Sequence, residues 1–480
     1  MKARSLAALL LFVVLATANS GGYRYGIGDQ AFYQPATMLR LQPELFPRDR
    51  ALIESQAKLT IVDEALAATS RVTRLDLPKL FFALYLVTLA LMFAASAQLA
   101  SFVGLSPTAT GLFLTILTLR HRIAKTGANT LEGYMHPRQL AFALGVFALT
   151  ASFKRRWVLM LLLWIVAAVV HPTTALWWAV AIAANSVLPT ARRQRALALA
   201  VLALFITGAW LARAAGLPIM DAQWVRVLDN KDYLFASGWP AYAWVFNLAY
   251  VPLILWCSAM KRDARFLAPA LALLAAFVVS YPLTESHVAL AVQLQVSRVF
   301  WLLDFFLALL GAWFLIDSGF AKRFKNVPQL TMAAALVLSV GRGVYTLHEG
   351  GPDRSIARVN FANDDWTETM SWLRTQPPDW LVLAHPDHAW LYGTSVRVAA
   401  SRDVAVESVK DSAISMYDRG VAMKTAGRLA ALSGYEKLTA EKALALGTEI
   451  GAAVAVIDAA HPLALPVLHR NAGFIVYDLR

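Results

Sequence analysis

Residues 78–103 read PKLFFALYLVTLALMFAASAQLASFV, and this stretch decides the fold class. It carries one charged side chain, Lys79, and exceeds the roughly 20 apolar residues that a helix needs to cross a bilayer. Similar apolar runs lie at about 107–119, 139–153, 157–170, 173–189, 196–215, 242–259, 266–283, 299–317 and 329–346. The pattern predicts a mainly α, polytopic helical membrane bundle of about ten or eleven spans.

The composition of the whole chain is that of a membrane protein. Of its 480 residues, 58% are hydrophobic and 16% are charged, whereas soluble domains carry roughly 25% charged residues. The net charge of +13 is unevenly spread, because the segment from His348 onward holds 13 basic and 16 acidic residues. The basic excess therefore lies among the predicted spans, which indicates membrane topology and excludes a nucleic-acid partner. A single cysteine, Cys257, excludes a disulfide framework and a Cys-based metal site.

Short basic clusters orient the predicted spans. They are Lys2 with Arg4, Lys154–Arg156, Arg192–Arg195, Lys261–Arg265 and Lys322–Lys325. All of them fall on one side of the predicted bundle, and the positive-inside rule makes that side cytoplasmic. The segment from Arg120 to Lys125 falls on the opposite side, so either the span count changes there or its cations serve an extracytoplasmic purpose. We expect a multi-pass protein of the inner (plasma) membrane with an extracytoplasmic C-terminal domain.

The spans divide the chain into four sections. Residues 1–19 form a first span or, because Ala16-Thr17-Ala18 is similar to a cleavage site, a signal peptide. Residues 20–77 form an extracytoplasmic first loop, residues 78–347 the multi-span membrane domain and residues 348–480 a soluble domain. In that last section, strand-like runs at 380–384, 396–400, 453–457 and 474–477 alternate with helix-like stretches at 364–375, 411–432 and 439–447. The alternation predicts a small α/β domain with a mostly parallel sheet.

Two carboxylates in the first loop are catalytic candidates. Asp29 follows Gly26 and Gly28, which permit a tight turn that presents the carboxylate beside the membrane. There it would deprotonate an acceptor hydroxyl or hold a divalent cation. Asp49 lies between two arginines, where it is either the N-cap of an amphipathic helix predicted over 51–68 or a second catalytic or metal-contacting group.

Four residues beside the spans are candidates for binding a substrate phosphate: His136, Arg138, His171 and Arg298. Arginine binds phosphate in bidentate fashion, although Arg138 would equally extend to lipid headgroups. His171 precedes a proline, a pattern that fits a helix junction as well as a ligand. Asp304 lies inside an apolar run and must be paired or face an aqueous cavity.

The stretch Gly28–Pro35, GDQAFYQP, resembles the Gly-Asp…Tyr-x-Pro block of uncharacterised bacterial polytopic membrane proteins of the glycosyltransferase C superfamily. Phe46–Asp49, His136–Arg138, His171-Pro172 and Arg298 are similar to other recurring positions of that group, so the resemblance covers most of the chain. It implies sugar transfer from a lipid-phosphate-linked donor, with the first-loop Asp29 as base or metal contact. Many active members have a tight acidic pair, which Asp29 lacks. The loop's adjacent pair, Asp63-Glu64, is expected on a solvated helix face.

The leading hypothesis is a glycosyltransferase-like membrane protein that uses a polyprenyl-phosphate-linked or similar sugar donor on the extracytoplasmic face. Its candidate catalytic residues are Asp29 and Asp49, and its candidate phosphate ligands are His136, Arg138, His171 and Arg298. The expected partners are the lipid bilayer and the lipid-linked donor, and the candidate cofactor is a divalent cation. The alternatives are a non-catalytic membrane component of polysaccharide assembly or export, and a transporter.

Overall fold

The computed structural model describes residues 3–187, 216–324, 326–349 and 355–480. The chain forms two compact units, which we call the helical unit and the mixed unit. The helical unit comprises Met1–Tyr23, Ala83–Ile219 and Lys231–Ala357. The mixed unit comprises Arg24–Phe82, Met220–Asn230 and Arg358–Arg480. Most of the predicted first loop therefore shares a unit with the predicted C-terminal domain.

Helices make up most of the described chain. In chain order they are α1 Ala3–Asn19, α2 Gln30–Leu41, α3 Arg50–Ala57, α4 Val62–Thr73, α5 Leu77–Phe102, α6 Pro107–Thr118, α7 Pro137–Phe153, α8 Trp157–Val170, α9 Pro172–Val187, α10 Ala222–Leu228, α11 Ala241–Lys261, α12 Leu267–Glu285, α13 Ala289–Leu294, α14 Val299–Asp317, α15 Gly319–Lys322, α16 Val327–Glu349, α17 Asp365–Arg374, α18 His388–Leu391, α19 Val396–Ala400, α20 Ser408–Ile414, α21 Arg419–Ala431 and α22 Ala440–Ile450. Short 3₁₀ turns lie at Ala236–Gly238, Val296–Arg298, Ser415–Tyr417 and Tyr435–Lys437.

The strands are short. They are β1 Tyr23–Arg24, β2 Arg122–Ile123, β3 Ala128–Asn129, β4 Ala357–Arg358, β5 Leu381–Leu383, β6 Asp403–Val404, β7 Val454–Asp458, β8 Val467–Arg470 and β9 Phe474–Asp478. In the helical unit, β2 and β3 form an antiparallel hairpin that pairs Arg122 with Asn129. This hairpin belongs to the connection between α6 and α7.

The predicted fold class, a helical membrane bundle with a small α/β domain, is confirmed. Five described segments have the length and composition to cross a membrane: Leu77–Phe102, Ala241–Lys261, Leu267–Glu285, Ala289–Lys322 and Val327–Glu349. Arg4–Asn19, Pro107–Thr118 and Trp157–Val170 are shorter apolar helices. The predicted run at 196–215 and the cluster Arg192–Arg195 lie outside the described residues, as does Lys325. The count of ten or eleven spans stays a prediction.

Aromatic side chains fill the interior of the helical unit. Phe142 of α7 stacks on Trp301 of α14 with ring centroids 4.0 Å apart, and Trp178 of α9 meets Phe142 edge-on at 5.0 Å. Trp178 is fully buried. Gly145, one helical turn after Phe142, leaves the space that the Trp178 indole occupies, because a Cβ at Gly145 would lie 2.1 Å from the indole Cδ1. The close approach of α7 and α9 therefore depends on this glycine.

In the mixed unit, five strands form one sheet in the order β6-β5-β7-β9-β8. The pairs β5–β6 and β5–β7 are parallel, whereas β7–β9 and β8–β9 are antiparallel. The predicted mostly parallel sheet is therefore mixed. Successive residues of β5 point to opposite faces, so Leu383 packs with Leu446 of α22 and Val382 packs with Met370 of α17. Helices thus cover both faces of the sheet.

Three local predictions in the mixed unit are wrong. Val396–Ala400, predicted as a strand, forms α19, because Ser395 caps it by accepting a hydrogen bond from the Arg397 amide. A short buried apolar run fits either element. The helix predicted over 51–68 is interrupted between α3 and α4, and Asp63 is buried rather than solvated. Its carboxylate pairs with the Arg40 guanidinium at 2.7 Å.

We predict that Gly145→Ala destabilises the helical unit. Alanine normally favours a helix over glycine by about 1 kcal/mol, but here the added methyl group collides with a buried indole, and overpacking costs roughly 1–3 kcal/mol. The matched control is Gly311→Ala in α14, where nothing lies within 4 Å of the added Cβ. Thermal unfolding in detergent should show a lower Tm for Gly145→Ala only. Equal Tm values for the two variants would contradict the packing of α7 against α9.

Candidate functional site

Three helix N-termini meet in the helical unit. His136 is the N-cap of α7, His171 immediately precedes α9, and Arg298 is the N-cap of α14. The rings of His136 and His171 lie 6.3 Å apart, and His171 interacts electrostatically with Arg138 and Arg298. The structure therefore brings together all four predicted phosphate-binding residues. Because the N-terminal end of a helix carries a partial positive charge, this region suits an anion.

The helices that follow His136 and His171 fix the tautomer of each imidazole ring. The Nδ1 atom of His136 accepts a hydrogen bond from the Arg138 amide at 3.1 Å, and Nδ1 of His171 accepts one from the Thr174 amide at 3.3 Å. A ring nitrogen that accepts an N–H bond carries no proton, so the proton of each neutral imidazole lies on Nε2. Each His-Pro pair is thus a helix start whose imidazole proton lies on Nε2.

Arg138 is engaged by a carboxylate and a backbone carbonyl. Its Nη2 contacts the Glu132 carboxylate at 2.6 Å, its Nη1 donates to the Gly127 carbonyl at 3.1 Å, and the Arg138 and Glu132 side chains are only 3% and 2% exposed. Glu132 also attracts Arg120, whose Nη2 lies 3.6 Å away and whose side chain is 31% exposed. Glu132 therefore balances one of two arginines. Arg298 is half-buried and adds a further positive charge.

Asp304 is paired, as expected for a carboxylate inside an apolar run. Its carboxylate lies 3.0 Å from Nε2 of His121, and their side chains are 11% and 43% exposed. His121 and Arg120 both come from the basic segment that the positive-inside rule places opposite the other clusters. The sequence analysis did not include these two residues in the site. Their predicted position, on the opposite side of the bundle from the other basic clusters, could have indicated a role there.

Asp29 lies in the mixed unit and is paired with a lysine. Its Oδ1 atom is 2.6 Å from Nζ of Lys410, with side-chain exposures of 29% for Asp29 and 17% for Lys410. Asp29 occupies the N-cap position of α2 but makes no side-chain capping bond. The carboxylate is therefore oriented by the ammonium group and not by the helix. Sequence reasoning did not find Lys410, because it lies 381 residues from Asp29.

Asp49 lies in the same unit, buried in an ion network. Nε of Arg397 contacts Oδ2 of Asp49 at 2.8 Å, and the two Nη atoms of Arg397 contact the Asp411 carboxylate at 2.6 and 3.0 Å. Asp49 takes the predicted N-cap position of α3, yet its side chain makes no capping bond. Because Asp49 is 1% exposed, its geometry favours a structural role, whereas Asp29 retains access to solvent.

The pKa shifts around Arg397 follow from burial and neighbouring charge. Burial lowers the pKa of Arg397, but the carboxylates of Asp411 and Asp49 more than offset it and raise that pKa well above its ordinary value. Burial, followed by the negative charge of Asp49, raises the pKa of Asp403 to about 6, although Asp403 accepts hydrogen bonds from the Arg48 and Asp49 amides. The network thus combines a permanently charged guanidinium with a carboxyl, Asp403, whose pKa lies well above its ordinary value.

The described residues fit a divalent cation poorly. They contain no group of three or more His, Cys, Asp or Glu side chains placed to hold a metal ion. Ca²⁺ takes six or more oxygen ligands in proteins, and Mg²⁺ uses one or two carboxylates with water and substrate phosphates. At Asp29 the nearby cation is Lys410, and at Asp49 it is Arg397.

Comparison with known proteins finds similarity only among solved structures. No protein-family model matches the chain, and no curated protein matches it. The apo crystal structure of the Archaeoglobus fulgidus oligosaccharyltransferase aligns with a TM-score of 0.48 and 11% identity over 95% of this chain and 70% of that one. The same enzyme tethered by a disulfide bond to an acceptor peptide with the NVT sequon aligns with a TM-score of 0.45 and 10% identity, over 95% and 69%.

We predict that Arg397→Met strongly destabilises the mixed unit. The change leaves Asp49 and Asp411 buried without their shared cation, and breaking a buried ion pair in this way costs roughly 3–5 kcal/mol. The control is Arg419→Met, which removes a pair with Asp221 whose side chains are 51% and 44% exposed. Such an exposed pair contributes little to stability. Limited proteolysis during heating should separate the two variants, and similar cleavage temperatures would contradict the network's role.

We also predict a pH dependence that comes from Asp403. Its pKa is near 3.8 in the unfolded chain and about 6 in the folded one, so the folded chain binds more protons between these values. The stability contributed by Asp403 therefore falls as the pH rises through 4–6, by about 1 kcal/mol between pH 5 and 7. Burial lowers the pKa of His388 to about 3, which acts in the opposite direction. The Tm difference between wild type and Asp403→Asn isolates Asp403, and wild type should gain relative stability at pH 5.

Proposed function

We propose that this protein transfers a sugar from a lipid-phosphate-linked donor on the extracytoplasmic face of the inner membrane. The observation that carries the proposal is the meeting of three helix N-termini with Arg298 in the helical unit. Residues 136, 171 and 298 are distant in sequence, and the fold assembles them where the positive ends of α7, α9 and α14 lie together. Such an arrangement matches the charge and oxygen-rich surface of a phosphate group.

The local charges support a phosphate as the ligand. Arg120 and Arg138 both contact the carboxylate of Glu132, and Arg298 adds a third guanidinium to this part of the helical unit. His136 and His171 are neutral in this tautomer, so they add no charge repulsion to the cluster. A lipid-linked donor would reach a membrane-embedded unit laterally through the bilayer.

In the proposed reaction, Asp29 is the base. An acceptor hydroxyl oxygen attacks the anomeric carbon of the sugar, its proton passes to the Asp29 carboxylate, and the bond from that carbon to the phosphate oxygen breaks. The lipid phosphate leaves with the bonding electron pair. Arg298, in the helical unit, is the proposed ligand of the donor phosphate.

A non-catalytic component of polysaccharide assembly or export is the second candidate. The Asp29–Lys410 ion pair favours it, because a carboxylate held by a neighbouring ammonium group has a structural explanation that needs no chemistry. The two candidates differ in what Asp29 contributes once the protein is folded and inserted. A conservative substitution of this side chain therefore separates them.

We predict that Asp29→Asn abolishes sugar transfer while the protein still folds. A null strain is complemented with wild type, Asp29→Asn, Arg298→Met and Arg298→Lys, and its glycans and lipid-linked sugars are profiled by mass spectrometry. Loss of a general base costs roughly 10²–10⁴-fold in rate, so the lipid-linked donor should accumulate. Arg298→Met should also accumulate donor, and Arg298→Lys should do so less, because it keeps the charge but loses the bidentate geometry.

The matched control is Asp76→Asn, which alters an exposed aspartate of the mixed unit that pairs with Lys79. It should restore every glycan to the wild-type level. If Asp29→Asn, present at wild-type abundance in the membrane, also restores every glycan, the catalytic proposal is wrong and the assembly role is favoured.

A further inference from the structure

The ammonium group of Lys410 has two contacts that fix it beside Asp29. One is the 2.6 Å contact with Oδ1 of Asp29, and the other is the face of the Phe32 ring, whose centroid lies 4.9 Å from Nζ. Phe32 is on the first turn of α2, three residues after Asp29. A cation over an aromatic face is attracted by the negative potential of the ring. Lys410 is therefore held both by charge and by the ring, close to the carboxylate that we propose as the base.

We propose that Lys410 supplies the positive charge at Asp29 that a divalent cation would otherwise provide, so that Asp29 acts without a bound metal ion. Lys410 is then a positioning residue. The proposal deepens the proposed function and rests on it for the role of Asp29. The assignment of the cation itself rests only on the local geometry of the mixed unit.

The backbone that carries Lys410 is itself anchored. Asp411, the next residue, accepts both Nη groups of Arg397 and also the Glu407 amide at 2.9 Å. At the start of α20, the Ser408 amide donates to the Pro386 carbonyl at 2.8 Å. These bonds fix the helix from which Lys410 extends. The lysine therefore reaches Asp29 from a rigid support and not from a mobile loop.

The carboxylate side of the pair is equally constrained. The side-chain oxygen of Gln30 accepts the Gly26 amide at 2.7 Å and the Gln34 amide group at 2.8 Å, which closes the turn around Asp29. Gly26 has a φ of +84°, and a Cβ there would lie 3.0 Å from the Phe361 ring. The turn therefore requires glycine at 26, and it holds Asp29 where Lys410 can reach it.

The surrounding carboxylates are placed where they serve Arg397 and not a metal ion at Asp29. Asp49 and Asp411 both contact Arg397, with the Nη1 atom 2.6 Å from Asp411 and the Nε atom 2.8 Å from Asp49. A second cation at Asp29 would be repelled by the ammonium group already there. The donor set of this part of the mixed unit thus disagrees with a divalent-cation site and agrees with an internal cation.

The first test counts metal ions directly and does not need activity. The full chain in nanodiscs of zwitterionic lipid is titrated with Mn²⁺, and free Mn²⁺ is measured by electron paramagnetic resonance for wild type and Asp29→Asn. We expect the two proteins to bind the same number of Mn²⁺ ions. If wild type binds one more ion than Asp29→Asn, a metal site exists at Asp29 and the proposal is overturned.

The second test examines the lysine in the complemented null strain. Lys410→Met should reduce glycan restoration at least tenfold, Lys410→Arg should recover most of it by returning a cation, and Lys437→Met, an exposed lysine of the same unit, should behave as wild type. Each variant is first checked for wild-type abundance and Tm, so that misfolding is recognised. Full restoration by Lys410→Met, where Asp29→Asn fails, would refute the role of Lys410. If neither substitution matters, the proposed function fails, while the Mn²⁺ count still decides whether Asp29 holds a metal.

Discussion

The buried guanidinium of Arg397 is the contact on which the mixed unit depends. It binds Asp49 from the first loop and Asp411 from the C-terminal segment, although Asp49 and Arg397 are 348 residues apart. Charged groups removed from water are tolerated only when they are paired and hydrogen-bonded. Each of the two chain segments therefore needs the other to neutralise a buried charge. The fold of one section cannot be separated from that of the other.

This long-range pairing explains which parts of the fold could be predicted from sequence. Membrane helices can be predicted from local sequence, because a long apolar run such as 78–103 is stable as a helix in a bilayer. The structure forms this helix as Leu77–Phe102, almost residue for residue. The pairing of Arg397 with Asp49 has no local signature. The apolar pattern of residues 396–400 is likewise insufficient, because it fits a strand as well as a helix. In the structure Ser395 caps this segment as a helix. Patterns of neighbouring residues therefore predicted the spans better than the interior of the mixed unit.

The candidate site divides in the same way. His136, Arg138, His171 and Arg298 were predictable, because each lies at the start of an apolar helix where an ionisable side chain is uncommon. What sequence did not reveal is that their helices begin side by side and that Glu132 already engages Arg138. Arg138 therefore also has a structural contact within the helical unit, and the phosphate-binding role of all four residues stays a prediction. Arg120 could be assigned to the candidate site only after the structure showed its Nη2 atom 3.6 Å from the Glu132 carboxylate.

The absence of an acidic neighbour at Asp29 and the presence of Lys410 are two aspects of one electrostatic requirement. Two adjacent carboxylates repel each other, so a pair of this kind either keeps a proton or is stabilised by a shared cation. A single carboxylate needs just one positive charge, which a lysine from the same unit can provide at 2.6 Å. The lack of the acidic pair that the sequence resemblance implied therefore does not by itself remove Asp29 from chemistry. In our proposal, Lys410 replaces a metal ion from solution as the cation beside Asp29. The function of Asp29 then depends on the position of Lys410.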